Sequence, residues 1–279
     1  MTSTRFVDAE WLAAHIAEPA TVVIEVTNNP ADDNIVGTIP GARAVYWKSL
    51  LWHPDRREFA SVTALTERLR RLGAGESSTV VFAGEPTQFA AYTLWVAAAR
   101  GIGGTLKYLD GGIEAWLLSD QPATPVPQRA VPDVPLPLRT PRFDDIVVGR
   151  DGVLDAIAAG TPLVDLRTPD EFSGRRVSPA TESTDHGAER YGHIPGARNL
   201  NVRELLDEHG RVLTISDLRT RIDELDIADT DALILYCRLS HRAALGWLVF
   251  EDLLGERGVR VYDGSWTEWG SIVGVPVER

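Results

Sequence analysis

Leu233-Ile234-Leu235-Tyr236-Cys237-Arg238-Leu239-Ser240-His241-Arg242 is an apolar run that turns polar at a cysteine, and Ala243-Ala244-Leu245-Gly246-Trp247-Leu248-Val249-Phe250 follows directly. Its first residues read as a buried strand, the middle as a tight loop, and the remainder as an amphipathic helix. A helix starting at the loop turns its free N–H groups and the positive end of its dipole back toward the cysteine. Thiolates, and the anions that react with them, are stabilised in such a setting.

The stretch has a copy. Leu233 to Val249 aligns with Val80 to Val96 at an offset of 153 residues, and Asp263-Gly264-Ser265-Trp266-Thr267-Glu268-Trp269 aligns with Asp110-Gly111-Gly112-Ile113-Glu114-Ala115-Trp116 at the same offset. Upstream, Thr161 to Leu166 matches Thr21 to Val26, and Gly192-His193-Ile194-Pro195-Gly196-Ala197-Arg198 matches Gly37-Thr38-Ile39-Pro40-Gly41-Ala42-Arg43. Blocks repeating in order mean two homologous domains. Apolar strands at 21–26, 79–82 and 105–109 alternate with helical patterns at 6–16, 63–72 and 90–100. That alternation predicts an α/β fold in each half, a mostly parallel sheet flanked by helices. Seven prolines from Pro122 to Pro141 mark a stiff, extended linker lying over a surface. The expected organisation is a first domain over 1–122, a linker over 123–141 and a second domain over 142–279.

The alignment also supplies an internal control. Gly84 stands where Cys237 stands, Glu85 where Arg238 stands, Phe89 where Arg242 stands and Thr27 where Arg167 stands. The first domain lacks the thiol and all three arginines, so chemistry is expected in the second domain alone.

Composition narrows the function classes. The 279 residues are 44% apolar and 24% charged, and the formal net charge is −12. Without a basic run, that charge excludes a nucleic-acid or acidic-membrane partner. One cysteine forms no intramolecular disulfide, no run has transmembrane length, and Met1 to Asp8 lacks the apolar core of a signal peptide, so the expected location is cytoplasmic. The six histidines are scattered at no metal-ligand spacing, and neither a metal nor a cofactor is expected.

Each candidate has a plain alternative. A lone cysteine after a strand is often simply core, but burying Arg238, His241 and Arg242 beside it without an anion would be costly. Converging arginines would favour the thiolate and hold an anionic substrate; either could instead form a surface salt bridge. His241 is a helix-start residue or a support for the thiolate, and Ser240 a simple N-cap. Arg167 follows a strand whose C-terminal end lines the ligand crevice of a parallel sheet, so it can face the Cys237 pocket, or else pair with Asp170 or Glu171. Asp165, Glu171 and the glycine-rich turns read as structural. The polar segment Ser173 to Arg190, absent from the first domain, is a partner surface, a lid over the site or, the reading adopted here, a solvated wrap across the domain junction.

With those residues in place, the chain resembles the rhodanese family, specifically its tandem-domain thiosulfate sulfurtransferases. The resemblance rests on Val164-Asp165-Leu166-Arg167-Thr168-Pro169-Asp170-Glu171-Phe172-Ser173-Gly174, Gly192 to Ala197, Tyr236 to Arg242 and Tyr262 to Gly270, and with the degenerate copy it spans nearly the whole chain. It implies two tandem rhodanese-like domains, the first inactive. It further implies that Cys237 takes the outer sulfur of thiosulfate as a persulfide and passes it to cyanide or another thiophilic acceptor. The loop Arg238, Leu239, Ser240, His241 would cradle the persulfide through backbone N–H groups, and Arg167, Arg238 and Arg242 would hold the sulfonate. The family's mercaptopyruvate branch carries Cys-Gly-Ser-Gly; Arg238 after the cysteine favours thiosulfate, with 3-mercaptopyruvate as the alternative donor. Loops of the family often carry glycine where Leu239 and Ser240 stand.

Two rivals share the strand–Cys–helix device. Cdc25-like phosphatases and arsenate reductases resemble Cys-x5-Arg, whereas Cys237 to Arg242 is Cys-x4-Arg, a smaller ring than one wrapped around phosphate. The second rival is a persulfide carrier that hands sulfur only to a protein partner; it requires the same thiolate.

Overall fold

A computed structural model describes residues 5–33, 35–121, 126, 130–227 and 231–279. Part of the predicted linker lies outside the described residues. The chain divides into two compact units, one made of Met1–Phe143 with Glu208–Arg211, the other of Asp144–Asp207 with Val212–Arg279.

In the first unit the strands are β1 (Phe6–Val7), β2 (Thr21–Thr27), β3 (Ile35–Val36), β4 (Arg43–Tyr46), β5 (Thr79–Glu85) and β6 (Thr105–Leu109). They form one sheet in the order β1-β6-β5-β2-β4-β3, parallel except for the β3–β4 edge. Every residue of β2 is buried, which explains why its apolar residues do not alternate with polar ones: a parallel strand covered on both faces has no polar side. The predicted helix at 6–16 begins with β1 instead, and Asp8 then caps a helix over Ala9–His15 by accepting from the Trp11 N–H.

The second unit holds β7 (Val147–Val148), β8 (Leu163–Asp165), β9 (Arg198–Asn199), β10 (Leu233–Tyr236) and β11 (Val259–Tyr262), all parallel in the order β7-β11-β10-β8-β9. That is the first sheet's order without β3. The register repeats as well: Glu25 lies opposite Ala83 as Asp165 lies opposite Tyr236. The offsets read from the sequence are therefore offsets of strand pairing.

Each unit has its own core. Leu12, Val23, Val81, Ile113 and Trp116 belong to the first, and Val153, Ile234, Tyr236, Trp266 and Trp269 to the second. The described linker residues lie along the first unit as an extended strap, where Arg139 N–H donates to the Gly101 carbonyl and Gly103 N–H to the Pro137 carbonyl. β10 is the central strand of its sheet, and the chain leaves its C-terminal end at Cys237. In parallel sheets that end is where ligands bind.

Candidate active site

Cys237 is 1% exposed, between β10 and the His241–Leu248 helix. The loop is pinned from one side. The Cys237 carbonyl accepts from Trp266 N–H (2.9 Å), the Arg238 carbonyl from Thr267 N–H (3.1 Å), and the Cys237 N–H donates to Ser265 Oγ (3.2 Å). In trans peptides a carbonyl and the next N–H point oppositely, so the Arg238 and Leu239 N–H groups are directed away from the Ser265–Trp269 helix.

Ser240 stands at the N-cap position but does not cap. Its backbone is left-handed (φ 69°), and its hydroxyl donates to Asp263 at the carbonyl (2.5 Å) and at Oδ1 (3.1 Å). The expected capping role is corrected: Ser240 ties the loop to the turn after β11, and no side chain caps the helix start. Ser265, which accepts from Cys237, is also left-handed (φ 51°) and donates to the Tyr262 carbonyl (2.8 Å). Two non-glycine residues held there are backbone strain concentrated around one thiol. Sequence reasoning treated Asp263-Gly264-Ser265-Trp266 as turn chemistry; its register with Asp110-Gly111-Gly112-Ile113 held the signal, since a serine replaces a glycine there.

The three arginines are separated by the structure. Arg167 pairs with Asp165, two residues back at the end of β8, and not with Asp170 or Glu171. It is 0% exposed, its Nε and Nη2 donate to Asp165 at 2.6–3.0 Å, and Nη2 also donates to the Gly192 carbonyl (2.7 Å). Its guanidinium lies 4.4 Å from the Trp266 ring centroid. Burial alone would lower its pKa, but Asp165 holds it raised. Arg167 fastens the β8 carboxylate to the Gly192 turn, a consequence of packing that its strand-end position did not reveal.

Arg242 makes a two-pronged bond to Glu171, Nη1 to Oε2 at 2.7 Å and Nη2 to Oε1 at 2.8 Å. Glu171 is 0% exposed and also accepts from the Thr168 N–H, completing the capping box of the Pro169–Phe172 helix. Burial would raise the Glu171 carboxyl, but the Arg242 hydrogen bonds and charge, with the Thr168 amide, hold it below its ordinary value. Burial would lower Arg242, yet Glu171 raises it, with Cys237 a further contributor.

Arg238 pairs with Glu182 and lies 3.3 Å from His186 Nε2. Glu182 belongs to the Ser173–Arg190 segment, whose far end is anchored as Arg190 donates to the Val275 carbonyl (2.8 Å) and the Ile272 carbonyl (3.0 Å). The segment meets the Cys237 loop where Glu182 and His186 stand against Arg238. Glu182 and His186 were not among the predicted site residues, and 56 and 52 positions separate them from Arg238.

A family profile described as a rhodanese-like domain matches residues 8–119 and again 150–272. The chain belongs to the rhodanese family. Both rhodanese domains fall on the two sheets described above. A thiosulfate sulfurtransferase of Corynebacterium glutamicum is 35% identical over 280 residues, covering 98% of this chain and 90% of that protein. The sulfur carrier protein TtuD of Thermus thermophilus is 32% identical over 283 residues, covering 98% and 96%. Among solved structures, the anaerobic ergothioneine biosynthesis enzyme from Chlorobium limicola superposes with a TM-score of 0.77 at 22% identity, over 99% of this rhodanese and 70% of that chain. That likeness concerns the fold. Among the described residues no helix is long and apolar enough to cross a membrane, and no group of three or more metal-ligating side chains gathers.

Proposed function

We propose that this chain is a sulfurtransferase that moves the sulfane sulfur of thiosulfate through a persulfide on Cys237. The observation that carries the reading is one buried thiol at the C-terminal end of the central strand, on a loop pinned by Ser265, Trp266 and Thr267, with Arg242 in the first turn of the helix that follows. The Cys237 thiolate attacks the outer sulfur, forming the Cys–S bond as the S–S bond to the sulfonate breaks, and sulfite leaves with the electron pair. The persulfide anion then gives its terminal sulfur to cyanide, forming thiocyanate and regenerating the thiolate. Charge and atoms balance in both halves, and the two half-reactions predict ping-pong kinetics.

Within this reading the backbone N–H groups of Arg238 to His241 cradle the persulfide, with Leu239 and Ser240 setting the loop's shape. Arg238 receives the sulfonate. Arg242 supports the thiolate from its bond with Glu171, and Arg167 has no substrate role. The names of the relatives support sulfur chemistry over phosphate chemistry. A reducing compartment such as the cytoplasm keeps a lone thiol available. A second reading, a carrier that hands its persulfide to a protein, is favoured by the sulfur carrier among the relatives, and 3-mercaptopyruvate is the alternative donor. Initial rates of thiocyanate formation, with thiosulfate and cyanide varied in turn, test the proposal. Parallel double-reciprocal lines are expected. Persulfide formation without cyanide turnover would favour the carrier, and turnover with 3-mercaptopyruvate alone would replace the donor.

A further inference from the structure

The three arginines around Cys237 each hold one carboxylate, but the pairs differ in access. Arg167 and Asp165 both have fully buried side chains, and Glu171 is fully buried beneath Arg242. The side chain of Glu182, by contrast, is 33% exposed, and that of Arg238 is 13% exposed. A buried pair cannot open without stranding a charge away from water, whereas a carboxylate at the surface is released into solvent. Arg238 is therefore the arginine positioned to exchange its partner.

The segment carrying Glu182 is built to present it. Asp185 accepts from the Val177 and Ser178 N–H groups, both at 2.9 Å, and Arg176 donates to the Ser178 carbonyl (3.0 Å) and the Glu182 carbonyl (3.2 Å). These bonds close a compact loop with Glu182 on its side facing Arg238. His186 lies 3.3 Å from Glu182 Oε2 and 3.3 Å from Arg238 Nη2, flanking the pair. The approach is close enough that a Cβ built on Gly187 would lie 2.7 Å from Arg238 Nε. Glu182 meets Arg238 through Oε1 alone, so one carboxylate oxygen takes the place that one oxygen of an oxyanion substrate would take.

We infer that Glu182 is an internal competitor for the anionic sulfur donor: its carboxylate occupies Arg238 at rest, and the donor's oxyanion end takes Arg238 by displacing it. Glu182 then sets donor affinity as a positioning residue, without touching the reacting sulfur. The inference rests on the sulfur-transfer reading for its biological meaning, but the exchange itself concerns any oxyanion small enough to reach Arg238.

Sulfate, which carries no transferable sulfur, isolates the exchange. The full-length protein is alkylated at Cys237 with neutral iodoacetamide while sulfate is titrated as a protectant. In Glu182→Gln, half-protection is expected at about three- to tenfold lower sulfate, the scale of one partly exposed charge-assisted contact. Glu182→Asp, which keeps the charge, is expected to restore protection toward the wild-type concentration. In an Arg238→Met background, Glu182→Gln is expected to change nothing. Thermal melts of each variant confirm that folded protein is compared. Wild-type protection in Glu182→Gln, a shift that persists without Arg238, or no protection by sulfate in any variant would each overturn the inference. Thiosulfate loading of the same samples keeps the readings apart. A sulfate shift without sulfur on Cys237 sinks the sulfur-transfer reading and spares the exchange, and the converse spares the transfer.

Discussion

The two units solve one structural problem in two ways. In the first, Glu25 at the end of β2 accepts directly from the Thr38 N–H (2.9 Å) and Ile39 N–H (2.5 Å) of the Gly37 turn. In the second, Asp165 holds Arg167, and Arg167 reaches the Gly192 turn. A carboxylate one methylene shorter, with a guanidinium inserted, does the same fastening. The arginine that distinguishes the second unit at this position thus takes over a fastening role that Glu25 fills alone in the first.

The loops differ more deeply. A Cβ built on Gly84 would lie 2.7 Å from the Thr87 carbonyl oxygen and 2.8 Å from the Ala90 nitrogen and the Pro86 oxygen. Gly112, in register with Ser265, has φ 61° and no room for a Cβ against the Gly84 carbonyl, 2.3 Å away. The first unit has therefore closed its loop over the place that Cys237 occupies in the second. Absence of the thiol there is a matter of space as well as of sequence.

Substitutions at three places would break or sharpen this contrast. The largest effect is expected at the Arg242–Glu171 pair. Arg242→Met leaves a carboxylate buried and unpaired, and should cost about 3–5 kcal/mol in denaturant unfolding. A loss under 1 kcal/mol would mean the pair is dispensable to the fold. The pair also carries a pH signature. The folded Glu171 carboxyl sits below its ordinary value of 4.5, so its contribution is complete above that value and is lost as pH falls through the lower folded one. The stability gap between wild type and Glu171→Gln should accordingly narrow on acidification; a gap that widens in acid would contradict the assignment.

A smaller effect is expected at the closed loop. Gly84→Cys should destabilise the first unit by about 1–3 kcal/mol, as overpacking does, and its thiol should take no sulfur from thiosulfate in a Cys237→Ser background. Sulfur on that cysteine would show that the frame alone suffices. The smallest effect concerns Ser265. Ser265→Ala keeps the strained backbone and removes the hydroxyl, at a cost of about 1–2 kcal/mol. Ser265→Gly, which copies Gly112, should cost less, because glycine tolerates that conformation. Equal melting shifts for the two would remove strain from the account.

The frame was legible because strand pairing and apolar burial write themselves locally. Thr21 to Val26 and Leu233 to Tyr236 are mostly apolar runs, and their offsets with the other copy report register without any coordinates. Cys237 stands out for a similar reason, as the chain's one cysteine, set where the other copy has Gly84. The carboxylates were not. Glu171 meets Arg242 across 71 positions, and sequence proximity suggested Asp170 or Glu171 for Arg167 when the partner is Asp165. Charge pairs are chosen by which side chains packing brings together, and that information is absent from local pattern. Ser240 was misread because a serine before a helix usually caps it; here the tie to Asp263 takes the hydroxyl instead.

The central claim is that one thiol carries the sulfur and that the second unit alone holds the chemistry. Intact mass spectrometry of the wild type and of Cys237→Ser, after thiosulfate and again after cyanide, tests it most directly. The account predicts a gain of one sulfur atom in the wild type, its complete loss on adding cyanide, and no gain in Cys237→Ser. A wild-type chain that gains nothing, or a Cys237→Ser chain that still acquires and releases sulfur, would contradict it.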